Sequence, residues 1–409
     1  MTEQDKKPGL APASTAAATT GKAEAAPVAA TSAAATSPTG SPAAAATSPV
    51  ESPTAAATSP TGSPAAAATS PATGSPLGEP TANPQDAIID AEDDEDYPDD
   101  IDSALGDGQS TYTTSLASSV FNYPVEFGRR YHAYQHGRYT RPNDEQEMDR
   151  LLIIHNMVTL ATGELFLAPI DMEKPQRVLD IGTGNGVWAV EVADNYPNAF
   201  VLGNDLSANM PNFVPPNVKF EVDDVESDWV YEEKFTFIFS RYMAASILDW
   251  PLLIQRTYEN LEPGGWAEFQ DFDIHYYSED DTLKSNDPLA IWIKSMGDAA
   301  AAIGRDPQPG YKLKGWFENQ GFTNIFHRKY KLPIGTWPKD PKLKQTGLHN
   351  FMQINQGLEG LSMRLYINVM KWTHEQATVM LAEVRRRLHN PNIHAMMDYH
   401  VVYGQKPLN

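Results

Sequence analysis

The stretch that most constrains this chain is QRVLDIGTGNGVWAVEVA, residues 176–193. Val178 and Leu179 start a short apolar strand pattern, and Asp180 ends it. Gly182, Gly184 and Gly186 follow, where backbone can approach a ligand with no Cβ in the way. Val187 opens a helical pattern whose free N–H groups face that loop. Strand, glycine loop and helix in that order predict a nucleotide-type binding site at the edge of an α/β sheet.

Downstream, strand and helix patterns alternate. Strands are expected at Arg177–Ile181, Ala199–Asn204, Val218–Val222, Phe235–Ser240, Trp266–Asp271, Phe322–Leu332 and Met396–Tyr403. Between them, Asp249 with Pro251 starts a helix to Leu261, and Glu262–Gly265 is a turn. Further helices are expected over Pro288–Ile303 and Leu313–Asn319, and from a Thr373/Gln376 capping box to Leu388. This alternation predicts a doubly wound, Rossmann-like α/β sheet of seven mostly parallel strands. Because the last strand pattern lies so late, the domain spans residues 115–407, with an insertion from about 336 to 371. Upstream, Asn143 and Asp144 cap a helix expected over Glu145–Leu167, which makes a helical N-terminal extension. Order is expected from near Val120, where an aromatic-dense segment begins.

Residues 1–107 have no such pattern. The fourteen residues TSPTGSPAAAATSP occur at Thr36–Pro49 and identically at Thr58–Pro71. Ordering a residue costs about 1–2 kcal/mol of backbone entropy, and a buried methyl group returns only about 0.8 kcal/mol. A long disordered N-terminus is therefore expected. Asp86–Asp107 carries 11 carboxylates and no Lys or Arg, half of the formal net charge of −22. It reads as a solvated acidic linker, or as a docking tail for a basic partner. So acidic a chain is a poor direct binder of nucleic acid. There is no cysteine, no apolar run of spanning length and no secretory h-region. A soluble intracellular protein is expected, in the nucleus, the cytoplasm or both; Lys6-Lys7 and Arg385-Arg386-Arg387 are too short to argue nuclear import.

The loop's spacing bears on its ligand. A dinucleotide fingerprint would put the third glycine at 187, where Val187 stands; the third glycine here is Gly186. An acid ahead of the loop, Asp180, suits a cofactor bearing an ammonium rather than a pyrophosphate. S-adenosylmethionine carries an ammonium and a sulfonium and no phosphate. Asp205 ends the second strand, where a carboxylate can accept both ribose hydroxyls. Asp223-Asp224-Val225 ends the third, where a side-chain carboxylate and a backbone N–H can meet an adenine. Ser240-Arg241 ends the fourth.

With these residues in hand, the chain resembles the class I S-adenosylmethionine-dependent methyltransferases, and more narrowly the fungal LaeA-like methyltransferases. The resemblance rests on GRRYHAYQHGRYTRPNDEQEMDR (Gly128–Arg150), VLDIGTGNGVWAVEVAD (Val178–Asp194), GNDLS (Gly203–Ser207), PPNVKFEVDD (Pro215–Asp224), DWPLL (Asp249–Leu253), LEPGGWAEFQDFDI (Leu261–Ile274), WPKDPKLKQTG (Trp337–Gly347) and YHVVYGQKP (Tyr399–Pro407). It implies that Asp180, Gly182, Gly184, Asp205 and Asp224 contact the cofactor and that Tyr139 closes over it. It also implies a regulator of secondary metabolism and development working in a protein complex, with velvet-type partners. The alternative is a tailoring enzyme that methylates a small metabolite, so the methyl acceptor is a protein or a small molecule. A third reading keeps cofactor binding without transfer. Asp271 stands where a Glu is expected.

Methyl transfer is an in-line displacement in which positioning of the reactants supplies much of the rate. His275, just beyond the fifth strand, is a weak candidate base, its competing reading being a solvent-facing loop histidine. His132 and His136 have the i, i+4 spacing of a metal pair, but the aromatic surroundings favour packing, and no metal is expected. Trp292, Met296 and Trp316 read as helical core before they read as a substrate pocket.

Overall fold

The computed structural model describes residues 123–134 and 139–409. The tract 1–107, the expected onset of order near Val120 and His136 lie outside the described residues. Strands β1 (Gln176–Ile181), β2 (Ala199–Asp205), β3 (Val218–Val222), β4 (Phe235–Arg241), β5 (Leu261–Phe272), β6 (Thr323–Pro333) and β7 (Met396–Gln405) form one seven-stranded sheet, ordered β3-β2-β1-β4-β5-β7-β6. β7 is antiparallel to both neighbours and the other pairs are parallel. Val178, Leu179 and Ile181 in β1 and Phe237, Ile238 and Phe239 in β4 are fully buried, as strands covered on both faces must be.

Seven helices flank the sheet among the described residues: α1 (Glu145–Thr162), α2 (Val187–Asn195), α3 (Trp250–Asn260), α4 (Pro288–Ala302), α5 (Leu313–Gln320), α6 (Pro341–Arg364) and α7 (His374–Leu388). Their starts follow local chemistry. Asp144, Asp249, Asp287 and Asp340 each accept a first-turn backbone N–H, and both bonds of the Thr373/Gln376 box form. α1 stops at Thr162, short of the expected Leu167, because Gly163 takes a left-handed φ of 87°. The expected Glu262–Gly265 turn lies inside β5 as a bulge: Phe235 faces Leu261, but Phe237 already faces Trp266.

α2 covers one face, where Trp188 stacks on Phe239 at 3.8 Å. α3 and α5 cover another stretch, with Trp250 stacked on Trp316. α1, α4, α6 and α7 gather over the ends of β5–β7 around Trp292, Tyr366 and Tyr399. α6 can lie close along α1 because Gly357 has no Cβ; one built there would sit 2.7 Å from Cδ of Arg150. No helix of the described residues is long and apolar enough to cross a membrane.

Register decides where chemistry can gather. Asp180 pairs with Gly203, and Ile181 with both Asn204 and Ser240. The carboxyl ends of β2, β1 and β4 therefore finish side by side. Strand order reverses between β1 and β4, which opens the crevice where ligands of such sheets bind.

Candidate active site

The crevice is a cleft of about 1130 Å³ including its open mouth. Asp180, Gly182, Gly184, Asp205, Asp224, Val225 and Tyr139 all line it. Gly186 does not line it. It caps α2 at φ 74°, and a Cβ there would meet Phe220 at 2.6 Å, so it acts through the shape of the turn.

The glycine loop is pinned to the end of β2. Gly184 N–H donates to Asp205 Oδ2 at 3.0 Å, Ser207 N–H to Asp205 Oδ1 at 3.0 Å, and Gly182 N–H to Asn204 Oδ1 at 3.3 Å. Thr183 Oγ1 donates to Asp180 at 2.5 Å. After β3, Asp224 Oδ1 accepts from Glu226 N–H at 3.0 Å, and the Val225 carbonyl accepts from Trp229 Nε1. Behind β4, Arg241 donates to His155 Nδ1 at 2.7 Å, so His155 carries its proton on Nε2, against Glu191. Burial and the Arg241 charge hold His155 down to about 3.

Burial pushes Asp180 up to about 7, against the pull of Thr183 and Arg241, and pushes Asp205 up to about 6 against its backbone N–H donors. Two acids held near neutrality in one buried cleft form a site that a cationic ligand completes. A phosphate there would meet like charge. That donor set fits the ammonium and ribose of S-adenosylmethionine.

The segment before α1 closes the cleft's other wall. Arg129 grips Asp144 through two bonds of 2.6 Å. Asn143 donates to Ser207 Oγ at 3.1 Å, and Asn209 donates to the Asn143 carbonyl at 3.0 Å, tying this segment to the rim beyond β2. Tyr139 is held by its backbone, its carbonyl accepting from Arg364 at 3.1 Å and its amide meeting His132 Nε2. His132 is fully buried and its Nδ1 faces the Tyr134 carbonyl, so its ring is a structural clasp. No metal-holding group of three side chains occurs among the described residues.

A second cavity, about 710 Å³ including the open solvent at its mouth, adjoins the cleft at Tyr242. Thr140 and Arg141 from the N-terminal segment wall it, with Phe272 at the end of β5, Ile274 and Tyr276 after it, Trp292 and Met296 on α4, and Gln353 and Ile354 on α6. Tyr242 alone lines both spaces. Its φ is 64°, a strained value for a bulky side chain. Its hydroxyl accepts from Arg150 at 3.1 Å, and its ring meets Phe272 edge-on at 5.2 Å.

The structure decides between the paired readings of four residues. His275 is exposed, stacked on Tyr277 and outside both linings, so it cannot serve as a base in either space. Trp292 and Met296 are core residues and cavity wall at once. Trp316 stays with Trp250, away from the cavity. Asp271 accepts backbone N–H groups of Met243 and Ala244 at 2.8 and 3.1 Å, holding the loop that carries Tyr242. Sequence reasoning missed Tyr242, Arg141, Asn143 and Ser207. The signals were that Arg141 and Asn143 fall in the RPNDE run and Ser207 in the GNDLS run.

Comparison with known proteins agrees with this geometry. A family model described as a methyltransferase domain matches residues 155–327. The methyltransferase pytC of Aspergillus terreus is 43% identical over 312 residues, covering 75% of this chain and 95% of that protein. The secondary metabolism regulator LAE1 of Cochliobolus heterostrophus is 35% identical over 290 residues, covering 69% and 94%. The protein-methionine methyltransferase laeA of Emericella nidulans is 32% identical over 287 residues, covering 69% and 76%. With relatives this similar over most of their length, the chain belongs to the class I S-adenosylmethionine-dependent methyltransferases, in the LaeA-like family.

Proposed function

We propose that this enzyme transfers a methyl group to a small, largely apolar molecule held in the second cavity. The observation that carries this is the largely apolar lining of the second cavity, which shares Tyr242 with the cofactor cleft. An apolar chamber with a few polar groups is the usual form of a small-molecule site. S-adenosylmethionine supplies an activated methyl group on a sulfonium. In this reading Asp205 accepts the ribose hydroxyls, while Asp224 and the Val225 N–H meet the adenine. Asp180 and the loop of Gly182 and Gly184, shaped by Gly186, face the ammonium end, and Tyr139 covers it. Residues 115–407 form the catalytic domain, in which the stretch 336–371 is an insertion that supplies one wall of the acceptor site.

A second reading keeps a protein as acceptor and a regulatory role beside velvet-type partners. It is favoured by the similarity to LAE1 and to laeA, the latter described as a protein-methionine methyltransferase. A methionine side chain is unbranched and apolar enough for such a chamber. The test is to incubate the enzyme with methyl-labelled S-adenosylmethionine and an extract of cells that lack its gene. Label recovered in solvent-extractable small molecules supports the tailoring role. Label confined to protein, with stable co-purifying partners, supports the regulatory role and removes the first.

A further inference from the structure

Arg141 is a cation in the wall of the second cavity with no anion beside it. It is 7% exposed. Nη2 donates to the Ala244 carbonyl at 2.8 Å, while Nη1 is buried with no hydrogen-bond partner. Its other neighbours are π faces, with Cζ 4.3 Å from the Tyr242 ring centre and 5.9 Å from that of Tyr139. Those faces attract the charge but leave the Nη1 donor unsatisfied. The acids within reach of its field are committed elsewhere. Asp271 takes the N–H groups of Met243, Ala244 and Phe272, and both Glu147 oxygens take Arg150. Arg150 is fully buried, yet it is satisfied by Glu147, Tyr242 and Gln353. A guanidinium stays protonated in a protein, and burying it with a free donor carries a heavy desolvation penalty unless a ligand brings the anion.

The same wall has no base. Its polar side chains are Thr140, Arg141, Tyr242, Tyr276 and Gln353, and its other residues are apolar. An acceptor that needed deprotonation in place would find no carboxylate, imidazole or amine there to do it.

Resting on the small-molecule reading above, we propose that Arg141 binds the acceptor as an oxyanion. The substrate class is then an apolar molecule bearing a carboxylate or an ionised phenol or enol, and the reaction is O-methylation. The anionic oxygen attacks the methyl carbon. The C–O bond forms as the C–S bond breaks, and the electron pair of that bond stays on sulfur. The oxygen's negative charge and the sulfonium's positive charge both vanish, and no proton has to leave. Cancelling two charges is favoured in a site that excludes water. The ester or ether formed gives Arg141 nothing to pair with, which helps product leave. An ammonium-bearing acceptor would meet the like charge of Arg141.

The test uses the full chain saturated with S-adenosylhomocysteine and two probe series built on benzene and naphthalene. Each series contains the carboxylate, the carboxamide and the methylammonium, titrated by calorimetry. The carboxylate is expected to bind at least about tenfold more tightly than the amide, and the ammonium more weakly still. Arg141→Met is expected to remove the carboxylate preference, weakening amide binding far less than carboxylate binding, while Arg141→Lys keeps part of the preference. S-adenosylhomocysteine affinity, read on each variant, reports that the fold is intact. If Arg141→Met fails to fold, the wild-type ranking and Arg141→Lys decide. Equal affinity for carboxylate and amide, or tightest binding of the ammonium, overturns the role of Arg141 and leaves the small-molecule reading standing. If no probe binds while S-adenosylhomocysteine does, both fall together.

Discussion

Asp180 and Asp205 are acids whose burial gives the cleft a pH dependence. Both lie above the unfolded value of 3.8, at about 7 and about 6. A carboxyl raised in this way contributes stability that is fully present below its unfolded pKa and is lost as pH rises through its folded one. With Glu268 and Asp271 also raised by burial to about 7, the ligand-free enzyme is expected to melt at lower temperature as pH goes from about 5 to about 8, and Asp180→Asn to make that fall shallower. Scanning calorimetry across this range checks it, and a flat wild-type profile would contradict the burial argument. A bound ammonium reverses the sign, so S-adenosylmethionine affinity should rise over the same window. At fixed pH, Asp205→Ala should weaken that affinity by about 10–150-fold, the worth of charged hydrogen bonds. Unchanged calorimetric affinity would remove Asp205 from the site. These acids were legible because each ends a strand pattern, and strand ends are local. Arg141 was not, because its bond to Ala244 spans 103 residues. Nor did anything in Ser240–Met243 mark Tyr242 for a left-handed φ.

At the level of elements, starts were readable and extents were not. Caps are short-range, so Asp144, Asp249 and the Thr373/Gln376 pair stand where the sequence puts them. The end of α1 depended on the conformation of Gly163, and the bulge in β5 on what lies opposite. α6 was expected only as an insertion, because its buried face is defined by Arg150 and the cavity rather than by its own periodicity. One substitution made at two helical glycines separates packing from propensity. Gly315 in α5 has open space where a Cβ would go, so Gly315→Ala should stabilise by about 0.5–1 kcal/mol. At Gly357 the new Cβ would sit 2.7 Å from Cδ of Arg150, whose head is pinned by Glu147, Tyr242 and Gln353. Gly357→Ala should therefore destabilise by about 1–3 kcal/mol. Urea unfolding of both variants checks the opposite signs.

For the molecule as a whole, the second cavity draws on later parts of the chain than the donor cleft, with walls from Phe272 to Met397. A chain starting at Ser115 should bind S-adenosylmethionine as the full chain does; a clear loss in calorimetry would place binding residues upstream. The order of assembly follows from β7. This strand lies between β5 and β6 and, among the described residues, is the only sheet partner of β6. During translation it leaves the ribosome after every other strand of the sheet. Until then the outer edge of β5 has no partner, and Met397 is missing from the cavity wall. The residues of the donor cleft, Tyr139 to Ile247, have all been made by then. A nascent chain stalled before Met396 is thus expected to be shielded from protease by S-adenosylhomocysteine around β1–β4 yet to remain open beyond β5, and a stall past Gln405 to close the rest. The enzyme can hold its reagent before its second chamber has all of its walls.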